Sequence, residues 1–152
     1  MYRFWVFGIF LAVVPVTMST GAQAQAAAKV DKETAKKQYK EGKALIKKKK
    51  YIEAAARFAA AYKTDPTFPK SLYREAYCYR KAKDYDKAIS KYKEYIAKVP
   101  DNPDGHFGLA ETYRKSNRKT EAINSYKSYL VNEKRKKEAK WVKKAQKIII
   151  DL

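Results

Sequence analysis

The same kinds of residue return in this chain every 34 positions. Gly42, Ala76 and Ala110 keep that interval, as do Ala54, Ala88 and Ala122, the aromatics Phe58, Tyr92 and Tyr126, and the prolines Pro66 and Pro100. A period of this length marks a supersecondary unit that cannot bury its apolar face alone and must stack on its neighbours. Within the middle period the apolar residues are Ala88, Ile89, Tyr92, Tyr95, Ile96 and Val99, stepping by three and four as on one face of a helix. The stripe recurs as Ala54, Ala55, Phe58, Ala61 and Tyr62, and as Ala122, Ile123, Tyr126, Tyr129 and Leu130. An earlier helix in each period carries Gly42, Ala76 or Ala110, small enough to let its backbone approach Ala54, Ala88 or Ala122. Pro66 and Pro100 stop the later helix, since proline lacks the amide hydrogen and clashes with the preceding turn. Asp84 is placed to cap the later helix of the middle period. Lys47 to Lys50 fall where the first of the earlier helices ends, and cations there meet the negative end of the helix dipole.

Small, aromatic and proline residues in register at this interval resemble the tetratricopeptide repeat, over about residues 35 to 136. The resemblance implies an all-α fold. It would be a right-handed superhelix of three helix–turn–helix repeats over 35–68, 69–102 and 103–136, closed by a capping helix over 137–152. Three pairs and a terminal helix make seven helices. The resemblance also implies a concave groove, lined by the first helix of each unit, in which a partner segment lies. In matching register the first unit shows Lys36, Tyr39, Lys43 and Ile46 there, and the second Lys70, Tyr73, Tyr77 and Arg80. The third adds Asp104, Phe107, Glu111 and Arg114. Tyr39, Tyr77 and Gly108 occupy places the family uses to grip a C-terminal carboxylate, so recognition of chaperone tails is not implied. Other departures are Gln38, Glu41 and His106 at usually large apolar places, and Lys134 where proline is expected. Without that proline the last unit is expected to run on toward the C-terminus.

The ends of the chain read differently. Arg3, the apolar run Phe4 to Val14 and the small-x-small triplet Ala22-Gln23-Ala24 have the form of a secretory leader over residues 1–24. Ala26 offers a second cleavage point. A retained membrane anchor is the alternative, although the run is short of the roughly 20 residues a span needs. The expected location is therefore secreted or periplasmic. Residues 25–34 read as a flexible lead-in. Beyond the repeats, Trp141, Val142, Ala145, Ile148 and Ile149 define an amphipathic helix from about Glu138. Its outer face carries Lys136, Lys137, Lys140, Lys143, Lys144 and Lys147. It suits a cap on the last unit, or a basic helix lying on anionic lipid with Trp141 at the interface.

Composition narrows the function. Thirty-five Lys and Arg against 16 Asp and Glu give a formal charge of +19, which favours acidic partners without dictating a fold. One Cys and one His leave no ligand set for a zinc site and no internal disulfide. There is no glycine-rich phosphate loop. His106 falls at a core-facing place, Cys78 lies between two tyrosines on a helix, and Glu41 and Glu75 are repeat equivalents rather than an acid–base pair. The chain thus reads as a binding protein with no cofactor, not an enzyme. Tyrosines beside cations suit an acidic or extended peptide of an envelope protein. An anionic polymer or lipid headgroup is the alternative partner, and the leader argues against nucleic acid. The plainer reading of the same residues is packing for the tyrosines and solvation for the lysines.

Overall fold

The computed structural model describes residues 20–152. The run Phe4 to Val14 lies outside the described residues, as does most of the leader assigned to 1–24. The described chain is all-helical: α1 (Thr20–Lys47), α2 (Tyr51–Thr64), α3 (Lys70–Lys81), α4 (Tyr85–Lys98), α5 (Pro103–Lys115), α6 (Lys119–Asn132) and α7 (Ala139–Asp151), with one 3-10 turn at Lys136–Glu138. Each helix packs chiefly on its neighbours in sequence, α1 on α2, α2 on α3 and so on to α6 on α7. That pattern is a quasi-one-dimensional stack of helical hairpins. Residues 25–34 are helical and fall within α1. Their alanines, lysines and glutamate are strong helix formers with no proline among them.

The repeat interval governs the turns as well as the helices. Lys49, Lys83 and Asn117 have φ near 60°, at 59°, 66° and 61°. Each ends a first helix in the left-handed conformation, and the next residue reaches back: Lys50 to the Leu45 carbonyl at 3.0 Å, Asp84 to Tyr79 and Arg118 to Tyr113 at 2.9 Å. This is the Schellman closure of a helix C-terminus. A lysine there costs conformational energy that glycine does not. Lys83→Gly is therefore expected to stabilise the fold by about 0.5–1 kcal/mol, read as a higher urea midpoint at unchanged slope. Asp84 does cap α4, accepting from the Lys87 amide at 3.3 Å.

Two buried clusters run through the stack. The first joins Ala54, Ala55, Phe58 and Cys78; the second centres on Ile89, Tyr92, Leu109, Tyr113, Tyr126 and Tyr129. Gly42 makes room for the Phe58 ring, which would stand 2.8 Å from a Cβ there. Gly108 does the same between units, because a Cβ there would overlap the Tyr92 ring. α6 does not run on past Lys134. It stops at Asn132, in register with the ends of α2 and α4. In place of proline an ion-paired turn fixes the exit: Arg135 bridges Glu133 at 2.5 Å and reaches Asp104 of α5 at 2.7 Å.

Candidate functional site

Of the first helices, α3 touches α5 directly, and a side-chain hydrogen bond ties α1 to α3. Tyr39 of α1 is held edge-on against Phe58 at 5.1 Å and beside Phe68 at 5.0 Å, and its hydroxyl accepts from Nε of Arg74 on α3 at 3.3 Å. Tyr73 packs in the same way on Tyr92 and Tyr95, at 5.8 and 5.5 Å. The two tyrosines are half-buried: one ring face belongs to the core and the remainder lines the surface. Next to them opens a cleft of about 530 Å³, bordered by Phe68, Lys70, Tyr73, Arg74, Asn102 and Asp104. Burial, with Asp104 beside it, raises the Tyr73 phenol, which stays protonated and able to donate at neutral pH.

Further along α3, Tyr77 is flanked by two cations, the Arg80 guanidinium 5.4 Å and the Lys81 ammonium 5.6 Å from its ring centre. Arg80 is half-buried, its Nε has no partner among the described residues, and it shares its surroundings with Glu111 of α5. Glu111 is itself buried, 6% exposed. Burial would raise its carboxyl, but donation from Arg114 at 3.1 Å and from the Tyr126 hydroxyl holds it below the ordinary value. Arg114 is therefore spent on Glu111, and Arg80 lies under the same carboxylate's influence.

The residues selected by register thus separate into groups. Lys43 and Lys70 are exposed and have no ion pair among the described residues, whereas Lys36 is paired with Glu33 at 3.0 Å. Tyr39, Tyr73 and Tyr77 border the surface that joins α1 to α3. Phe107 is drawn away from it, enclosed by Tyr126, Tyr129 and Trp141 at 5.8, 5.0 and 5.5 Å. Arg74, which ties α1 to α3, is the member the groove register omits. It stands 34 residues after Lys40, and that interval is the signal for both. The same interval runs Tyr39, Tyr73, Phe107, Trp141, which places α7 in the register of a further first helix.

Catalytic chemistry has little to build on. Cys78 is fully buried, and burial pushes its thiol up to about 12, leaving no thiolate at neutral pH. His106 is half-buried and its Nε2 lies 2.8 Å from the Pro100 carbonyl. Among the described residues no cluster of three His, Cys, Asp or Glu could hold a metal, and no helix is long and apolar enough to cross a membrane.

Comparison with known proteins agrees with this geometry. Two tetratricopeptide repeat family profiles match, at residues 39–103 and 80–134. The TPR domain of Arabidopsis OM64 superposes with a TM-score of 0.67 at 19% identity, over 77% of this chain and 98% of that one. The TPR2AB domain of yeast Sti1, solved in complex with pHSP90, gives 0.72 at 15% identity, over 85% and 51%. The Yersinia enterocolitica type III secretion chaperone SycD, solved with a peptide of the translocator YopD, gives 0.73 at 18%, over 78% and 92%. At these identities the likeness is one of fold. No curated protein matches the chain.

Proposed function

Starting from a chain whose residues 39–134 are tetratricopeptide repeats, we propose that the protein is a non-catalytic binding module that holds an extended acidic peptide across α1 and α3. The observation that carries this reading is the joined surface of those two helices. Exposed Lys43 and Lys70 stand there beside half-buried Tyr39, Tyr73 and Tyr77, rings already fixed by the core and so able to make contact at little entropic cost. Two structural relatives were solved with peptide or protein partners, SycD with a YopD peptide and Sti1 with pHSP90, which supports a peptide as the class of ligand. The leader-like residues 1–24 support a secreted or periplasmic location, hence a partner in the envelope. A second reading, an anionic polymer or lipid surface, rests on Lys140, Lys143, Lys144 and Lys147 of α7, exposed and without ion pairs among the described residues.

Fluorescence anisotropy with a labelled Glu-rich dodecapeptide tests the first reading. Lys43→Glu with Lys70→Glu is expected to weaken binding at least tenfold at physiological salt, about 1.4 kcal/mol, and to flatten the salt dependence. Arg80 is unsuited to this test because its reversal would place a second carboxylate beside Glu111. Lys87 and Lys91 are unsuited as controls because they pair with Asp84 and with Glu75 and Glu94. Lys93→Glu with Lys127→Glu is the better control, since both lysines are exposed on second helices without ion pairs among the described residues. If that control weakens binding equally, the peptide reads net charge and the groove proposal fails.

A further inference from the structure

Six lysines of α1, Lys29, Lys32, Lys36, Lys40, Lys43 and Lys47, are all exposed. At about 100° per residue they fall within an arc of roughly 80°, and at about 1.5 Å per residue they extend over roughly 27 Å. Only Lys36 among them forms an ion pair within the described residues. Like charges three and four apart on a helix destabilise it, so a ladder of five such steps is a poor way to achieve solubility. Dispersed charges would serve as well without that cost. The ladder also leaves the repeat stack. Gln38 meets Thr64, the last residue of α2, at 3.1 Å, and Ala35 is still fully buried, so the part of α1 that projects beyond the repeat stack lies N-terminal to Ala35. Lys29 and Lys32 lie on that overhang, exposed.

In the other direction the charge continues only as far as α3. At the places of Lys36, Lys40, Lys43 and Lys47, α3 has Lys70, Arg74, Tyr77 and Lys81, while α5 has Asp104, Gly108, Glu111 and Lys115. An acidic chain crossing from unit to unit would find little free positive charge at α5, where Arg114 is paired with Glu111 and Arg135 with Asp104. One running lengthwise along α1 meets lysine at each step, with Glu33 the one carboxylate among the described residues beside the ladder, paired with Lys36. We infer that the acidic segment of a partner polypeptide lies along α1, with its carboxylates on the lysine ladder and its far end on the overhang beyond the groove. In an extended strand, alternate side chains on one face stand about 6.6–6.8 Å apart. The ladder's steps of about 4.5–6 Å are close enough for the flexible lysine stems to match them. The occupant is thus an extended segment of roughly eight residues with acids at alternate positions.

This inference rests on the acidic-peptide reading above, and its test separates the two. The probes are labelled decapeptides of five Glu and five Ser, one strictly alternating and one with the glutamates in a block. The alternating peptide is expected to bind at least fivefold more tightly. Lys29→Gln with Lys32→Gln should weaken it about fivefold, with helicity unchanged because glutamine is also a good helix former, and Lys29→Arg with Lys32→Arg should restore it. A five-residue Glu-Ser peptide, too short to reach the overhang, should not sense either pair. If the overhang glutamines have no effect while Lys43→Glu with Lys70→Glu still does, the lengthwise path is wrong and the groove reading stands. If neither pair matters, both fail. Equal binding of the block and alternating peptides, or displacement by polyphosphate at matched charge concentration, would overturn the polypeptide as occupant.

Discussion

Removing residues 139–152 is expected to destabilise the protein by on the order of 3 kcal/mol, lowering its melting temperature by roughly 10 °C. α7 occupies the seat of a further first helix. Ala145 is fully buried in the C-terminal cluster, with Val142, Ile148, Ile149 and Leu152 packed against it. Trp141 meets Phe107 edge-on at 5.5 Å and carries the Lys144 ammonium 4.8 Å above its ring. Several half-buried side chains, each worth about half of a full burial, give the expected magnitude once the ordering of the helix is subtracted. The interval that leads from Leu72 through His106 arrives at Lys140, and from Ala76 through Ala110 at Lys144. Leu72, Ala76 and Ala110 are buried, whereas Lys140 and Lys144 in their register are exposed. Calorimetric melting with light scattering checks this, since the truncated chain should also aggregate by exposing Phe107, Tyr126 and Tyr129. A truncated protein that melts like the full chain, but no longer sediments with anionic vesicles, would replace the cap by a lipid-facing helix.

The interval made the helices legible because it records contacts between neighbouring elements. Phe58, Tyr92 and Tyr126 are all fully buried, as their shared register requires. Contacts that depart from the repeat were not legible. The end of α6 is set by Arg135 reaching Asp104, 31 residues away, so the missing proline at Lys134 misleads any reading based on period alone. The site shows the same limit. Its cations could be placed from sequence, but their availability depends on which carboxylate stands one turn or one helix away. Arg114 is neutralised by Glu111 three residues before it, while Lys43 and Lys70 have no ion pair among the described residues. Phe107 could have been assigned to packing from the 34-residue step to Trp141. The groove register counts units only as far as the third.

Tyr126→Phe is expected to cost about 2 kcal/mol, whereas Tyr92→Phe, the same change one repeat earlier, should leave stability unchanged or raise it by up to about 1 kcal/mol. Both rings are fully buried, and both replacements keep the ring. The hydroxyls differ. That of Tyr126 donates to the Glu111 carboxylate, a charge-assisted bond in a buried setting. That of Tyr92 has no hydrogen-bond partner among the described residues, although the Arg80 guanidinium lies near it. Deleting the first hydroxyl leaves a buried carboxylate supported by Arg114 alone; deleting the second removes a buried polar group that makes no well-formed hydrogen bond, only a looser contact with the Arg80 guanidinium. The sign of the pH dependence follows from Glu111. Its carboxyl is held below the ordinary value in the folded chain, so its stabilisation is present above the unfolded value of about 4.3 and is lost as pH falls through the folded one. The deficit of Tyr126→Phe should accordingly be full at pH 7 and narrow below about pH 4, while the Tyr92→Phe difference stays flat across the same range. Urea titrations of the two variants and the parent at pH 7, 5 and 3.5 decide the matter. Equal losses in both variants at pH 7 would mean that the two hydroxyls do the same work, and the link from Tyr126 to Glu111 would carry no stability of its own.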